Sequence, residues 1–301
     1  MSSLDRPRVA WVLNLDAEEE LAARHRYEPT RHLHEIIARE GARLAGSLVE
    51  PGDIVVDECT PVGAATGFEG RAWSPTPRAR RLLERAGASV AEAPGMEVLR
   101  RVNARPFASD VRATLLSPAF EKHVASDLEP VLALLARPAD AGWLVRRTFG
   151  AAGRGRRRMA SGKPTDPERA WLVASLRKGP LVIEPWVEVT REFTRSGFVE
   201  RTGRVRIAGP CFQRTTREGA WIATKRSGAG EVQSTDDHEL ERATQSAGEA
   251  LARAGYFGPF GIDAFRYRAG ARQLLNPMSE INARYTMDWT LAMTPEVIAL
   301  G

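Results

Sequence analysis

The chain has 301 residues, 43% of them apolar and 27% charged, with no run of about eighteen apolar residues and no low-complexity tract. Those figures exclude a disordered tail, a chain built on membrane-spanning helices and a disulfide-stapled miniprotein, and at roughly 100 to 200 residues per domain they predict two or three packed units. The formal charge of +5 comes from 39 Arg and 4 Lys against 38 acids, and most bases interleave with acids, as Arg24 and Arg26 follow Glu18-Glu19-Glu20, so the excess reads as a bias toward Arg rather than a nucleic-acid footprint.

Val9 to Leu15 reads as a buried strand, and Asp16 to Glu20 as a helix start, with a further helix around His32 and His34. Ile54 to Val56 follows the turn Glu50-Pro51-Gly52-Asp53, Arg78 to Ala86 has helical spacing of Leu82, Leu83 and Ala86, and a third short strand lies near Ser89 to Ala91. Strand, helix, strand order predicts a partly parallel sheet in an α/β lobe over residues 1–100. Helices follow at Val98 to Ala104 and Asp127 to Ala136. From Trp143 the chain turns strand-rich, with strands at 143–145, 181–183, 192–199, 204–208, 221–223, 261–267 and 272–275, interrupted by a helix from Asp236 to Gly255.

Two cysteines, Cys59 and Cys211, are too few for a disulfide framework or a metal knuckle, and residues 1–16 lack a signal-peptide pattern. A reduced, cytoplasmic protein without export or membrane association is the expectation. His32 and His34 flank a helix, His25, His123 and His238 sit among charged residues, and each reads as a surface or capping group.

The sharpest chemistry lies between Gly255 and Met287. Strands around Ala269-Gly270 predict a hairpin, and alternation puts Glu280, Asn282 and Arg284 on one face. Asp263, Glu280 and Asn282 are hard oxygen ligands of the kind that suit Mg²⁺ holding substrate phosphates. Mirror pairing about residue 270 would set Asp263 opposite residue 277, so the set assembles only if a bulge at Asn276-Pro277 absorbs the surplus residues. Upstream, Gly150, Gly153 and Gly155 form a loop whose backbone N–H groups could approach phosphate, without the Walker or Rossmann pattern. Leu181 to Val187 runs from a buried strand into Pro185, with Glu184 and Glu192 eight residues apart.

In this order the pieces resemble the ATP-grasp family over roughly residues 100 to 290, most specifically in Gly261-Ile262-Asp263 and Glu280-Ile281-Asn282-Ala283-Arg284. The resemblance implies an N-terminal α/β lobe (1–100) followed by a two-lobed ATP-grasp domain, with a central lobe bearing the Gly-rich lid (101–185) and a C-terminal lobe bearing the metal site (186–301). It implies ATP and one or two Mg²⁺ as cofactors. Glu184 would accept from the adenine amino group, backbone at Trp186 or Val187 would contact the ring, and Glu192 would hold the ribose. Asp263, Glu280 and Asn282 would hold the metal.

The family usually has Lys at two phosphate-binding positions where this chain has Arg146 and Arg105; Arg keeps the charge and grips phosphate bidentately. Otherwise one of the four lysines, Lys225 being favoured, reaches the phosphates instead. Arg156 to Arg158 lie on the lid as a solvated run or as phosphate ligands. Arg284 is assigned to the γ-phosphate or the substrate carboxylate, so Arg284→Ala is expected to slow turnover far more than it lowers thermal stability. The implied activity couples a small carboxylate, activated as an acyl phosphate, to an amine. The alternatives are a kinase-like or non-turnover ATP-binding protein of the same fold, and an Arg-rich nucleic-acid-binding protein.

Overall fold

The computed structural model describes residues 6–23, 27–115, 120–150, 153–216 and 221–294. Its first sheet is parallel, ordered β2-β1-β3-β4, from β1 (Val9–Val12), β2 (Ile54–Val55), β3 (Glu69–Ala72) and β4 (Ser89–Val90). Every residue of β1 is buried because helices cover both faces. Ala10 and Val12 pack with Leu82 and Leu83 of α3 (Pro77–Arg85), while Val9 and Trp11 pack with Leu44 and Leu48 of α2 (Arg31–Leu48). α1 (Ala17–Ala22) leaves the end of β1, where Glu18 enters the cleft described below. Thr30 caps α2 by accepting from the Leu33 N–H at 3.3 Å.

The middle sheet is antiparallel, ordered β5-β8-β6-β7, from β5 (His123–Ala125), β6 (Trp143–Arg147), β7 (Arg156–Met159) and β8 (Leu181–Pro185). Val131 and Leu135 of α6 (Leu128–Leu135) and Leu172 of α7 (Asp166–Leu176) cover one face. A reciprocal Thr165/Glu168 capping box and Pro167 in the first turn explain where α7 starts.

The third sheet is antiparallel, ordered β12-β11-β9-β13-β14, with β10 paired to β9. Its strands are β9 (Glu188–Val199), β10 (Val205–Ile207), β11 (Cys211–Thr215), β12 (Trp221–Arg226), β13 (Gly258–Ala269) and β14 (Arg272–Asn282). Phe260, Ile262 and Ile281 face the buried side and meet Ala243, Ala247 and Leu251 of α8 (Ser234–Arg253). Gly248 lets α8 approach, since a Cβ there would lie 2.4 Å from Val205.

Helices α4 (Met96–Asn103) and α5 (Arg105–Ala113) join this same core through Leu99, Val102, Ala108 and Val111. Residues 101–113, grouped by sequence with the central lobe, therefore pack on the third sheet, because their apolar face matches α8 and β14. Beyond β14 the chain docks on the first lobe: Trp11, Tyr285 and Trp289, the last opening α9 (Trp289–Ala292), stack edge to face at 5.2 and 5.0 Å. No described helix is long and apolar enough to cross a membrane.

Arg156 to Arg158, read as part of a loop, belong to β7, with Arg158 opposite Leu144 and Arg156 opposite Arg146. Charged residues carry no hydrophobic alternation to betray a strand. The sequence pattern also missed β3, β5 and β11, which are short and mostly polar or half-exposed, and α5 and α7.

Candidate active site

The hairpin of β13 and β14 positions the acids. Phe265 pairs with Asn276, yet Asp263 pairs with Glu280, so Pro277, Met278 and Ser279 stand against the single residue Ala264. This is the bulge that the residue count required, and Pro277 sits in it because a bulge does not need its missing N–H. Two surplus residues preserve the alternation, so Asp263, Glu280 and Asn282 share the face opposite Phe260 and Ile262. Asn282 donates from Nδ2 to Asp263 Oδ2 at 3.0 Å.

Burial, reinforced by the Glu280 charge, raises the Asp263 carboxyl to about 7. Glu280 moves the other way: burial opposes its ionisation, but Arg105 and Arg146 more than offset that and hold it at about 2. Arg105, buried at the start of α5, stands 2.9 Å from Glu280 Oε1 and also donates to the carbonyls of Arg147 and Gly150. Arg146 of β6 bonds Glu280 Oε2 and stands 3.4 Å from Glu184 Oε1. Both arginines assigned to phosphate binding thus converge on one acid of the candidate metal set.

The structure adds Lys122, which sequence reasoning passed over. Its ammonium, almost fully buried, donates to the Ser279 carbonyl of the bulge at 2.8 Å and stands 3.5 Å from Glu184 Oε2. Burial, only partly countered by Glu184, lowers it to about 8. Lys225, the lysine favoured from sequence, is exposed on β12 and pairs with Glu231 at 3.0 Å. Neither lysine lines a cavity of the site, but Lys122 touches its residues through Glu184 and Ser279. Rarity was the one available signal: with four lysines in the chain, each warranted equal weight.

Two cavities meet at Arg146, Arg156, Gln213, Thr216 and Asp263. The first, about 780 Å³, lies between the middle and third sheets and is lined by Glu184, Trp186, Val187, Glu192 and Arg158 among others. Glu184 Oε2 is buried there without a hydrogen-bond partner. The Trp186 N–H is already donated to Gly142 O at 2.8 Å, which removes it as a ring-reading donor, and the Trp186 ring lies 4.9 Å from the Arg158 guanidinium. Glu192, expected to hold the ribose, accepts from the Thr215 N–H at 3.0 Å and hydroxyl at 2.8 Å.

The second cavity, about 650 Å³, reaches from Asp263, Glu280 and Asn282 to the first lobe. Gly150 and Gly153 border it, whereas Gly155 closes the β6-β7 hairpin by accepting from Arg147 N at 2.8 Å. Gly155 has φ +71°, a conformation glycine adopts without strain. Residues 151 and 152 of the Gly-rich segment lie outside the described residues. Arg284 borders this cavity with both Nε and Nη2 donating to Glu18 Oε1, at 2.9 and 2.8 Å, and its guanidinium 5.2 Å from the Trp73 ring. It is therefore also a structural tie between the two ends of the chain.

The donor set fits a hard divalent cation. Two carboxylates paired across strands and the oxygen of a neighbouring amide are hard donors, and Asp263, raised by burial and by the Glu280 charge, lacks the cationic partners that Glu280 has in Arg105 and Arg146. Among the described residues no group of three or more His, Cys, Asp or Glu could hold a metal ion by itself.

This arrangement of sheets and cleft is the ATP-grasp fold. Solved structures that share it with this chain include a D-alanyl-alanine synthetase A from Vibrio cholerae, at 13% identity and TM-score 0.53, over 98% of this chain and 93% of that one. N5-carboxyaminoimidazole ribonucleotide synthetase from Thermus thermophilus is similar at 18% identity and TM-score 0.51, over 92% and 71%. N5-carboxyaminoimidazole synthetase from Staphylococcus aureus, complexed with ADP, is similar at 9% identity and TM-score 0.52, over 93% and 71%. No family model and no curated protein sequence matches the chain.

Proposed function

We propose that this protein is an ATP-dependent ligase that activates a small carboxylate as an acyl phosphate and couples it to an amine. One observation carries the reading: Asp263 lies where the two cavities meet, Glu280 and Asn282 line the second beside Arg105 and Arg146, and the buried Lys122 stands behind them against Glu184 and the Ser279 carbonyl. The similar synthetases, one holding ADP, support it.

The first cavity takes the nucleoside. Glu184 Oε2, paired at 3.5 Å with the Lys122 ammonium but without a hydrogen bond, accepts from the adenine amino group, and Glu192 from the ribose hydroxyls, exchanging its bonds to Thr215. Arg105, Arg146 and Lys122 face the phosphates, and they counter the charge that develops as the γ-phosphoryl group moves. Mg²⁺, held by Asp263, Glu280 and Asn282, would neutralise phosphate oxygens and polarise the transferring group.

Arg284 orients the acid so that its oxygen attacks the γ-phosphorus while the bond to the bridging oxygen breaks and ADP leaves. The amine then attacks the acyl carbon, loses a proton, and inorganic phosphate departs. Such chemistry needs positioned charge more than a proton-transfer residue.

The test is ADP release measured against acid and amine together, beside a thermal scan with Mg·ATP. Binding at a hundred times Kd adds about 2.7 kcal/mol, a shift of several degrees. No shift at millimolar nucleotide overturns the reading, and ADP release independent of any amine marks a phosphotransferase instead.

A further inference from the structure

Helix α2 carries an apolar stripe of Leu33, Ile36, Ile37, Leu44 and Leu48. Its second half is ordinary core, since Leu44 and Leu48 pack with Val9, Trp11 and Trp73. Its first half is different: Leu33, Ile36 and Ile37 enter no core cluster, are only half-buried, and line the second cavity. That cavity ends at Asp263, Glu280 and Asn282, with Arg284 and Arg105 beside them. One continuous space of about 650 Å³ thus has an apolar end on α2 and a charged end where Arg105, Arg146 and Arg284 stand among Glu18, Asp263 and Glu280.

We propose that this cavity binds a carboxylic acid with a large apolar body, its carboxylate at the Arg284 and Arg105 end and its body along Leu33, Ile36 and Ile37. The inference rests on the ligase reading and names the acid that the ligase activates. The volume is that of a pocket for a sizeable small molecule, far beyond what a two-carbon acid fills. The part of these three half-buried aliphatic side chains that faces the cavity is a standing cost of about 25 cal/mol per Å², which an apolar ligand removes and a polar one does not. Charge sets the direction: with Mg²⁺ on Asp263, Glu280 and Asn282, Arg105 and Arg146 would share Glu280 with the cation, and a carboxylate complements them where an ammonium does not.

The experiment is calorimetric titration of the full chain, with Mg²⁺ and a non-hydrolysable ATP analogue present, using straight-chain monocarboxylic acids from four to ten carbons. Affinity is expected to rise with length, by up to about fourfold per buried methylene. Ile37→Asp should flatten that dependence, and so should the milder Leu33→Asn; nucleotide affinity measured in both variants reports that they are folded. Affinity indifferent to chain length, or a length dependence unchanged in both folded variants, overturns the proposal. Concentration-dependent dimerisation abolished by Ile37→Asp also overturns it, because a second copy would then be the occupant. Trapping the acyl phosphate with hydroxylamine reads the ligase activity separately: length-dependent binding without any hydroxamate leaves the pocket and removes the ligase, while hydroxamate without length dependence does the reverse.

Discussion

Glu280 stands directly across the β13-β14 hairpin from Asp263, two like charges at one register position, and only Glu280 is compensated by the arginines of the facing elements. The two acids therefore respond oppositely to neutralisation. Because the folded protein raises Asp263 to about 7, ionising it opposes folding as pH climbs from the ordinary carboxylate range toward neutrality. Asp263→Asn should stabilise the nucleotide-free protein at pH 7.5 by on the order of 1 to 2 kcal/mol, and so raise its melting temperature, while abolishing turnover. Glu280→Gln should lower it, because Arg105 and Arg146 lose the acid that compensates them. Calorimetry of both variants beside an ADP assay decides; a destabilised Asp263→Asn contradicts the charge argument.

Lys122 and Lys225 separate cleanly. Lys122→Met removes a buried ammonium between Glu184 and the bulge carbonyl, and should cut kcat/KM for ATP on the order of 10², with partial recovery in Lys122→Arg. Lys225→Met should leave kinetics unchanged and stability within about 0.5 kcal/mol, since its pair with Glu231 is exposed. Equal effects of the two would refute the assignment.

Arg284 was expected from sequence to matter for turnover far more than for stability, and its bonds to Glu18 revise that. Arg284→Ala should cost about 3 kcal/mol by stranding a buried carboxylate, in addition to its kinetic effect. Adding Glu18→Gln should restore much of the stability and little of the turnover. A double-mutant cycle in chemical denaturation measures the coupling.

Acid stability has a contribution remote from the cleft. Burial would push Asp53 up, but the N–H groups of Val9 and Glu50 and the guanidinium of Arg6 hold it below the ordinary carboxylate range. A depressed folded value means stability present above the unfolded pKa and lost as pH falls through the folded one. Asp53→Ala should remove about 2 kcal/mol at pH 7 and progressively less at lower pH, read as converging denaturation midpoints.

Sequence alone determined the order of the lobes' strands and helices where apolar periodicity was strong, as in β1, β13 and α8, and strand alternation put Glu280 and Asn282 on one face. It also stated the condition under which Asp263 would join them, because residue counting between paired strands is arithmetic. What only the tertiary structure decided is which distant charges share that face. Lys122, Glu184 and Ser279 meet because β5 lies beside β8 and the middle sheet faces the bulge, and no local pattern encodes such a contact. The same holds for β7, whose charged residues form a strand because β6 offers them a ladder, and for Glu18 and Arg284, joined from opposite ends of the chain. Local periodicity reports burial against a neighbouring layer, whereas charge pairing depends on how layers are stacked, and that is a property of the folded whole.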